Sequence, residues 1–147
     1  MNQYDKLKLE NQICFPLYAL SRKVIKLYKP ILDKYNLTYT QYITMLAVWE
    51  KEKIDFKSLG KKLHLDSGTL TPVVNKLVAM GLITKHRNPE DDRLVTIEIT
   101  EKGNRLKEDM LEVPDQLFCK FDGEMEEVML LKKYLDKFLK YSKTQED

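Results

Sequence analysis

Between Leu7 and Lys34 the apolar residues Leu9, Ile13, Leu17, Leu20, Val24, Ile25 and Leu27 recur every three or four positions. That period puts them on one face of a helix. Pro16 and Pro30 each remove a backbone donor within the stretch, so the pattern predicts a kinked helix or two consecutive ones. Thr38 suits the N-cap of a second helix over Tyr39 to Glu50, on which Trp49 reads most simply as core. Ile54 to Phe56 is a short extended candidate. Lys57 to Leu63 reads as a short amphipathic helix with Leu59 and Leu63 on one face. Asp66 or Ser67 can cap the next helix, from about Gly68 to Met80, which Gly81 stops. A helix, a short turn and a second helix make a helix-turn-helix pair.

After Gly81 the period shortens to two. Leu82 to Arg87 and Leu94 to Ile99 read as strands joined by a polar loop, Asn88-Pro89-Glu90-Asp91-Asp92. Thr100 then caps a long helix that Pro114 kinks, and Asp122 or Gly123 precedes a last helix from Glu124 to Tyr141. The predicted fold class is mainly α with a small β-hairpin wing, a winged helix-turn-helix. A single unit is expected over residues 1–147, with no repeat and no linker. Apolar positions remain that one helix-turn-helix lobe does not need: Leu106, Met110, Leu117 and Phe118, then Val128, Leu131, Leu135, Phe138 and Leu139. These, with the first helix, read as the interface of a two-fold homodimer.

Composition narrows the class. Of 147 residues, 43% are apolar and 33% charged, a balance that suits a folded domain rather than a disordered chain. No apolar run is long enough to span a bilayer, so no membrane partner is expected. The start, Met1 to Glu10, has no apolar core of a signal peptide, and two cysteines without an export signal suggest the reducing cytoplasm. Net charge is only +2, but residues 1–52 and 53–105 each carry +3 and residues 106–147 carry −4. A basic centre suits an anionic partner there and a different task for the acidic end. His64 and His86 have no cysteine or carboxylate at metal-ligand spacing, so neither a metal nor another cofactor is expected.

Three motifs carry a family resemblance. Asn88 to Arg93, with Asp91 two residues before Arg93, resembles the wing of the MarR family of winged-helix regulators. Leu65-Asp66-Ser67-Gly68-Thr69-Leu70-Thr71-Pro72 resembles the start of the recognition helix in the family's organic-hydroperoxide-sensing, OhrR-like branch. Leu9 to Phe15 resembles the surroundings of that branch's reactive cysteine, which places the sensing thiol at Cys14. Tyr28 and Tyr39 match the tyrosines that hydrogen-bond this cysteine, and Tyr18 a further aromatic of its pocket. The related global regulators of staphylococci share the pattern. Cys119 resembles the second cysteine of a two-cysteine subclass, in which a partner-subunit cysteine resolves the oxidised thiol.

The resemblance implies a homodimeric repressor that binds a pseudo-palindromic operator in double-stranded DNA. About 39–100 would be the DNA-binding lobe, with about 1–38 and 101–147 the dimerisation helices. The residues suit that role. Ser67, Thr69 and Thr71 bring hydroxyls to a helix start that favours phosphate, with Asn75 and Lys76 one to two turns on. The plainer reading is a cap and solvated threonines. Arg93 has a planar guanidinium suited to the minor groove, and Asp91 can hold it; alternatively the two form an ordinary surface salt bridge. Arg87 and Lys85 are weaker backbone candidates.

A lone cysteine on an apolar helix face is ordinarily a small buried hydrophobe. Reactivity toward peroxide needs a stabilised thiolate. Tyr18 is one turn from Cys14, but Tyr28 lies about four turns along, roughly 21 Å on a straight helix, so only a partner subunit's Tyr28 can meet it. The implied effector is an organic hydroperoxide or a low-molecular-weight thiol. The alternatives are a MarR-type regulator released by a small aromatic ligand, with Cys14 structural, and a thiol peroxidase.

Overall fold

The computed structural model describes residues 2–141. Its elements are α1 (Cys14–Leu32), α2 (Tyr39–Lys51), β1 (Lys53–Asp55), α3 (Phe56–Leu63), α4 (Ser67–Ala79), β2 (Ile83–Arg87), β3 (Val95–Ile99), α5 (Glu101–Asp109), α6 (Val113–Phe118) and α7 (Met125–Tyr141). The chain divides into two compact units, Met1–Leu117 and Phe118–Asp147.

In the first unit, α1 begins at Cys14 and runs as one helix for 19 residues, which replaces the expected alternative of two consecutive helices. Pro16 is the third helical residue, where the backbone N–H has no intrahelical acceptor to lose. Pro30 falls in the last turn, and the helix ends two residues later in a 3-10 turn closed by Asn36 at φ 55°. Upstream of Cys14 the helical period continues, yet the chain forms two short 3-10 turns, Gln3–Leu7 and Leu9–Asn11. There Asn11 Nδ2 donates to the carbonyl of Asp5 at 2.7 Å and Gln12 Nε2 to that of Lys6 at 2.7 Å. These side-chain amides occupy carbonyls that an α-helix would need.

Thr38 and Gln41 form a reciprocal capping box at the head of α2. The carboxylate of Asp66 accepts the Thr69 N–H at 2.7 Å and fixes the start of α4 one residue before Gly68. The sheet is antiparallel with order β1-β3-β2, pairing Ile54 with Ile97 and Lys85 with Ile97 from its two sides. The wing hairpin therefore carries a third strand from the segment before α3. Met45 and Val48 of α2, Leu59 of α3, Leu70, Val74 and Leu77 of α4, Ile83 and Ile97 are all fully buried and form one core.

The helix after Thr100 stops at Asp109, and α6 restarts at Val113 with Pro114 in its first turn, so Pro114 opens a new helix instead of kinking an old one. Met110, expected at an interface, is turned into the core, and Leu106 and Leu117 pack half-buried against it. In the second unit, α7 leaves Met129, Leu130, Leu131, Tyr134, Phe138 and Leu139 exposed. In the first, α1 exposes Phe15, Leu17, Tyr18, Leu20 and Ile25.

Hydrogen bonding to the Thr69 N–H holds the Asp66 carboxyl below the usual carboxylate range. A carboxyl lowered by folding contributes stability above its unfolded value and loses it as pH falls through the folded one. Asp66→Ala is therefore expected to lower the urea midpoint at pH 7, with the gap from wild type closing below about pH 4. An equal gap at pH 7 and pH 3 would show that the ionised cap contributes nothing.

Candidate nucleic-acid interface and thiol site

The first unit carries two exposed features. The first is the outer face of α4. Ser67, Gly68 and Thr69 lie exposed in its first turn, and Pro72, Asn75 and Lys76 continue the exposed face. Thr71 is half-buried, and its hydroxyl donates back to the Ser67 carbonyl at 2.7 Å, so its proton is spent within the helix. The second feature is the tip of the β2–β3 hairpin. Asp91 Oδ1 accepts from both the backbone N–H of Arg93, at 3.0 Å, and its Nε, at 3.2 Å. This pins the base of the arginine while its side chain stays 90% exposed. Arg87 Nη1 donates to the Asp92 carbonyl at 3.2 Å, so that exposed cation braces the loop. An ion pair this exposed adds little stability, and what it contributes is orientation.

Lys85, on β2, is less peripheral than its sequence context indicates. Its ammonium reaches Asn75 Oδ1 on α4 at 3.4 Å. No local sequence signal could reveal this pairing, because it depends on β2 packing against α4. Lys57 and Lys61 add exposed charge on α3, while Lys62 pairs with Glu50.

Cys14 is exposed and free at the first position of α1, where backbone N–H groups lack helical acceptors and the helix dipole favours negative charge. Tyr18 lies exposed one turn on, under the guanidinium of Arg22 at 5.5 Å. Because α1 is continuous, Tyr28 of the same chain sits at its far end, away from Cys14. There it meets Tyr39, with ring centroids 4.8 Å apart, and Tyr42, at 5.6 Å. Tyr42 is the member that sequence reasoning missed, although it follows Tyr39 by three residues on α2 and so shares its face. Burial pushes the Tyr28 hydroxyl far above its ordinary value, and the neighbouring Tyr39 and Tyr42 push it further. Burial likewise raises Tyr39 and Tyr42. All three phenols therefore stay protonated at neutral pH, as hydrogen-bond donors. Cys119, in the second unit, is also free and exposed.

A groove of about 350 Å³ opens in the first unit between α2 and the α5–α6 segment, lined by Tyr42, Leu46, Trp49, Lys107, Met110 and Leu111. Among the described residues no group of three or more histidines, cysteines or carboxylates is placed to hold a metal ion. None of their helices is long and apolar enough to cross a membrane.

Comparison with known proteins agrees with this architecture. The sequence profile of the family described as transcriptional regulator SarA/Rot matches residues 26–110. An organic hydroperoxide resistance transcriptional regulator of Bacillus subtilis is 51% identical over 113 residues, 77% of each chain. The HTH-type transcriptional regulator SarZ of Staphylococcus saprophyticus is 42% identical over 131 residues, 89% of this chain and 90% of its own. The crystal structure of AbfR of Staphylococcus epidermidis matches with a TM-score of 0.74 at 32% identity, covering 94% of this chain and 95% of that one. AbfR has also been solved reduced and bound to DNA, and in a disulfide-formed state. These relatives are transcriptional regulators, not enzymes, which sets aside the thiol peroxidase alternative. The chain belongs to the SarA/Rot family of transcriptional regulators and has the MarR-type winged-helix fold.

Proposed function

We propose that this protein is a cytoplasmic, homodimeric repressor that binds a pseudo-palindromic operator and leaves it when an organic hydroperoxide oxidises Cys14. The observation that carries this reading is a coincidence of three features. The chain is 51% identical to an organic hydroperoxide resistance regulator, its thiol stands exposed at the head of α1, and three neutral tyrosines cluster at the other end of that helix.

Residues of about 39–100 form the DNA-binding lobe in this reading. The face of α4 bearing Ser67, Thr69, Asn75 and Lys76 enters the major groove, with Thr71 in a supporting place. Asp91 presents Arg93 to the minor groove, and Arg87 supports the wing. The segments about 1–38 and 101–147 supply the dimer contacts, which would cover the apolar residues exposed on α1 and, separately, on α7. Two-fold symmetry would then bring Cys14, beside Tyr18, to Tyr28 and Tyr39 of the partner, whose hydroxyls stabilise the thiolate.

The thiolate sulfur attacks the terminal peroxide oxygen, the O–O bond breaks, and the alcohol departs after taking up a proton. Sulfur is oxidised by two electrons to a sulfenic acid, and the peroxide is reduced. The sulfenic acid then condenses, with loss of water, with a low-molecular-weight thiol or with Cys119 of the partner subunit. The sulfur has changed charge and bulk, so the tyrosine bonds break and the spacing of the two recognition helices no longer fits successive groove turns.

The test is a mobility-shift titration on duplex DNA from upstream of the protein's own gene. A shifted band that disappears with cumene hydroperoxide and returns with dithiothreitol is expected. A band indifferent to hydroperoxide would overturn the redox reading. In the same assay Arg93→Ala is expected to weaken binding on the order of tenfold at matched salt, with far-UV circular dichroism unchanged. Unchanged affinity would remove the wing from the interface.

The groove beside Trp49 favours a second reading, a regulator released by a small aromatic ligand with Cys14 structural. Free-thiol titration after hydroperoxide treatment separates the two, since only the first reading consumes the Cys14 thiol as DNA is lost.

A further inference from the structure

Lys85 projects from β2 with its side chain half-buried between the two helices of the helix-turn-helix. Its ammonium lies 5.9 Å from the centroid of the Phe56 ring, at the head of α3, and 3.4 Å from Asn75 Oδ1, on the exposed face of α4. The ring face attracts the cation and limits where it can go. One side chain thus ties the wing strand to both helices. An ammonium has donors only, so the carbonyl of the Asn75 amide must face it and the NH2 must turn away. Asparagine ordinarily presents a donor and an acceptor of equal reach. Here one end is committed.

We propose that Lys85 is a specificity-determining positioning residue: it locks the Asn75 amide with its oxygen inward, and the Lys85–Asn75 pair becomes a donor-only surface that selects guanine. This rests on the reading above that α4 enters the major groove. Guanine presents two adjacent acceptors there, N7 and O6. The Asn75 NH2 and the remaining ammonium N–H groups match them. Adenine presents an acceptor and a donor, N7 and N6–H2, and asparagine reads it by offering NH2 and oxygen together. With that oxygen turned toward the Lys85 ammonium, the adenine amino group would approach beside a cation that repels its partly positive hydrogens.

The experiment is selection of bound duplexes from a half-site-randomised pool by the full-length protein and by Asn75→Ala, Lys85→Met and Lys85→Arg variants. Wild type is expected to enrich guanine at one symmetric position per half-site by about tenfold or more over adenine. Asn75→Ala loses the preference at that position. Lys85→Met loses it at the same position, or moves it toward adenine, while still binding DNA. Lys85→Arg, which keeps donors facing the amide, retains guanine.

Adenine at that position in the wild-type selection would overturn the proposal. So would a Lys85→Met protein that binds all sequences uniformly less well with the same preferences, since that marks a plain phosphate contact. A change at a position that Asn75→Ala does not affect would overturn it too. If wild type retains no duplex at all, the DNA-binding reading fails together with this one. Retention with adenine, or with uniform weakening, leaves that reading standing and removes only the role of Lys85.

Discussion

Cys14→Ser protein is expected to bind its operator as wild type does and to keep it when hydroperoxide is added. Under the same treatment wild type should lose affinity by about a hundredfold, or roughly 2.7 kcal/mol of binding free energy. The reasoning separates folding from chemistry. Within one chain Cys14 is exposed at a helix start, and in the proposed dimer a serine oxygen can still accept from the partner's tyrosines, so folding and dimer contact should survive the exchange. Serine also suits a helix N-terminus, so α1 should form unchanged. The chemistry, however, disappears, because a serine hydroxyl is a far weaker nucleophile toward peroxide oxygen than a thiolate. A serine protein that still releases DNA would show that the oxidant acts elsewhere and would end the sensing role of Cys14. Cys119→Ser asks a narrower question. If it releases DNA on hydroperoxide and recovers like wild type, a low-molecular-weight thiol completes the response. If release is lost or cannot be reversed, the cysteine of the second unit takes part.

The largest loss of stability is expected from Gly103→Ala, by about 3 kcal/mol or more, with a fall in Tm of roughly 10 °C. Helix propensity predicts the opposite sign, since alanine inside a helix is favoured over glycine by about 1 kcal/mol. The reversal comes from tertiary contact. A Cβ at Gly103 would stand 2.2 Å from the carbonyl oxygen of Leu82 and 2.6 Å from Ile99 Cδ1. The first of these is backbone at the base of the wing and cannot rotate away. The same residue donates its N–H to Thr100 Oγ1 at 3.0 Å and accepts the buried Trp49 Nε1–H at 3.0 Å. Moving α5 outward to admit a methyl group therefore strains both hydrogen bonds. Trp49→Phe, which orphans the carbonyl but adds no atom, should cost less, on the order of 1–3 kcal/mol. Urea denaturation of the three proteins checks the order, and an alanine variant as stable as wild type would show that α5 can yield there.

Where sequence and structure agree, the governing interactions are local. Thr38 with Gln41, Asp66 with Thr69, and the polar Asn88–Asp92 loop all act within a few residues, so α2, α4 and the hairpin were legible from spacing and capping chemistry. That α1 is one helix beginning at Cys14 has a local cause of a subtler kind. Proline matters by its position within a helix, and the apolar period alone does not reveal where the helix begins. Around the thiol, the resemblance pointed to Tyr28 and Tyr39, but their ring contact and the place of Tyr42 depend on α1 packing against α2.

By itself, then, the sequence determined the order of elements from α2 to α5, the caps that begin α2, α4 and α5, and the charged tip of the wing. Each of these follows from backbone preferences and side chains within hydrogen-bonding reach of their own turn. The tertiary structure alone decided that Lys53–Asp55 joins the wing as a third strand, that Met110 faces the core, and that Lys85 meets Asn75. It also decided that Gly103 must lack a side chain. The reason is physical. Those outcomes are set by atoms brought together across long stretches of chain, where burial and steric exclusion outweigh local propensities of about 1 kcal/mol per residue.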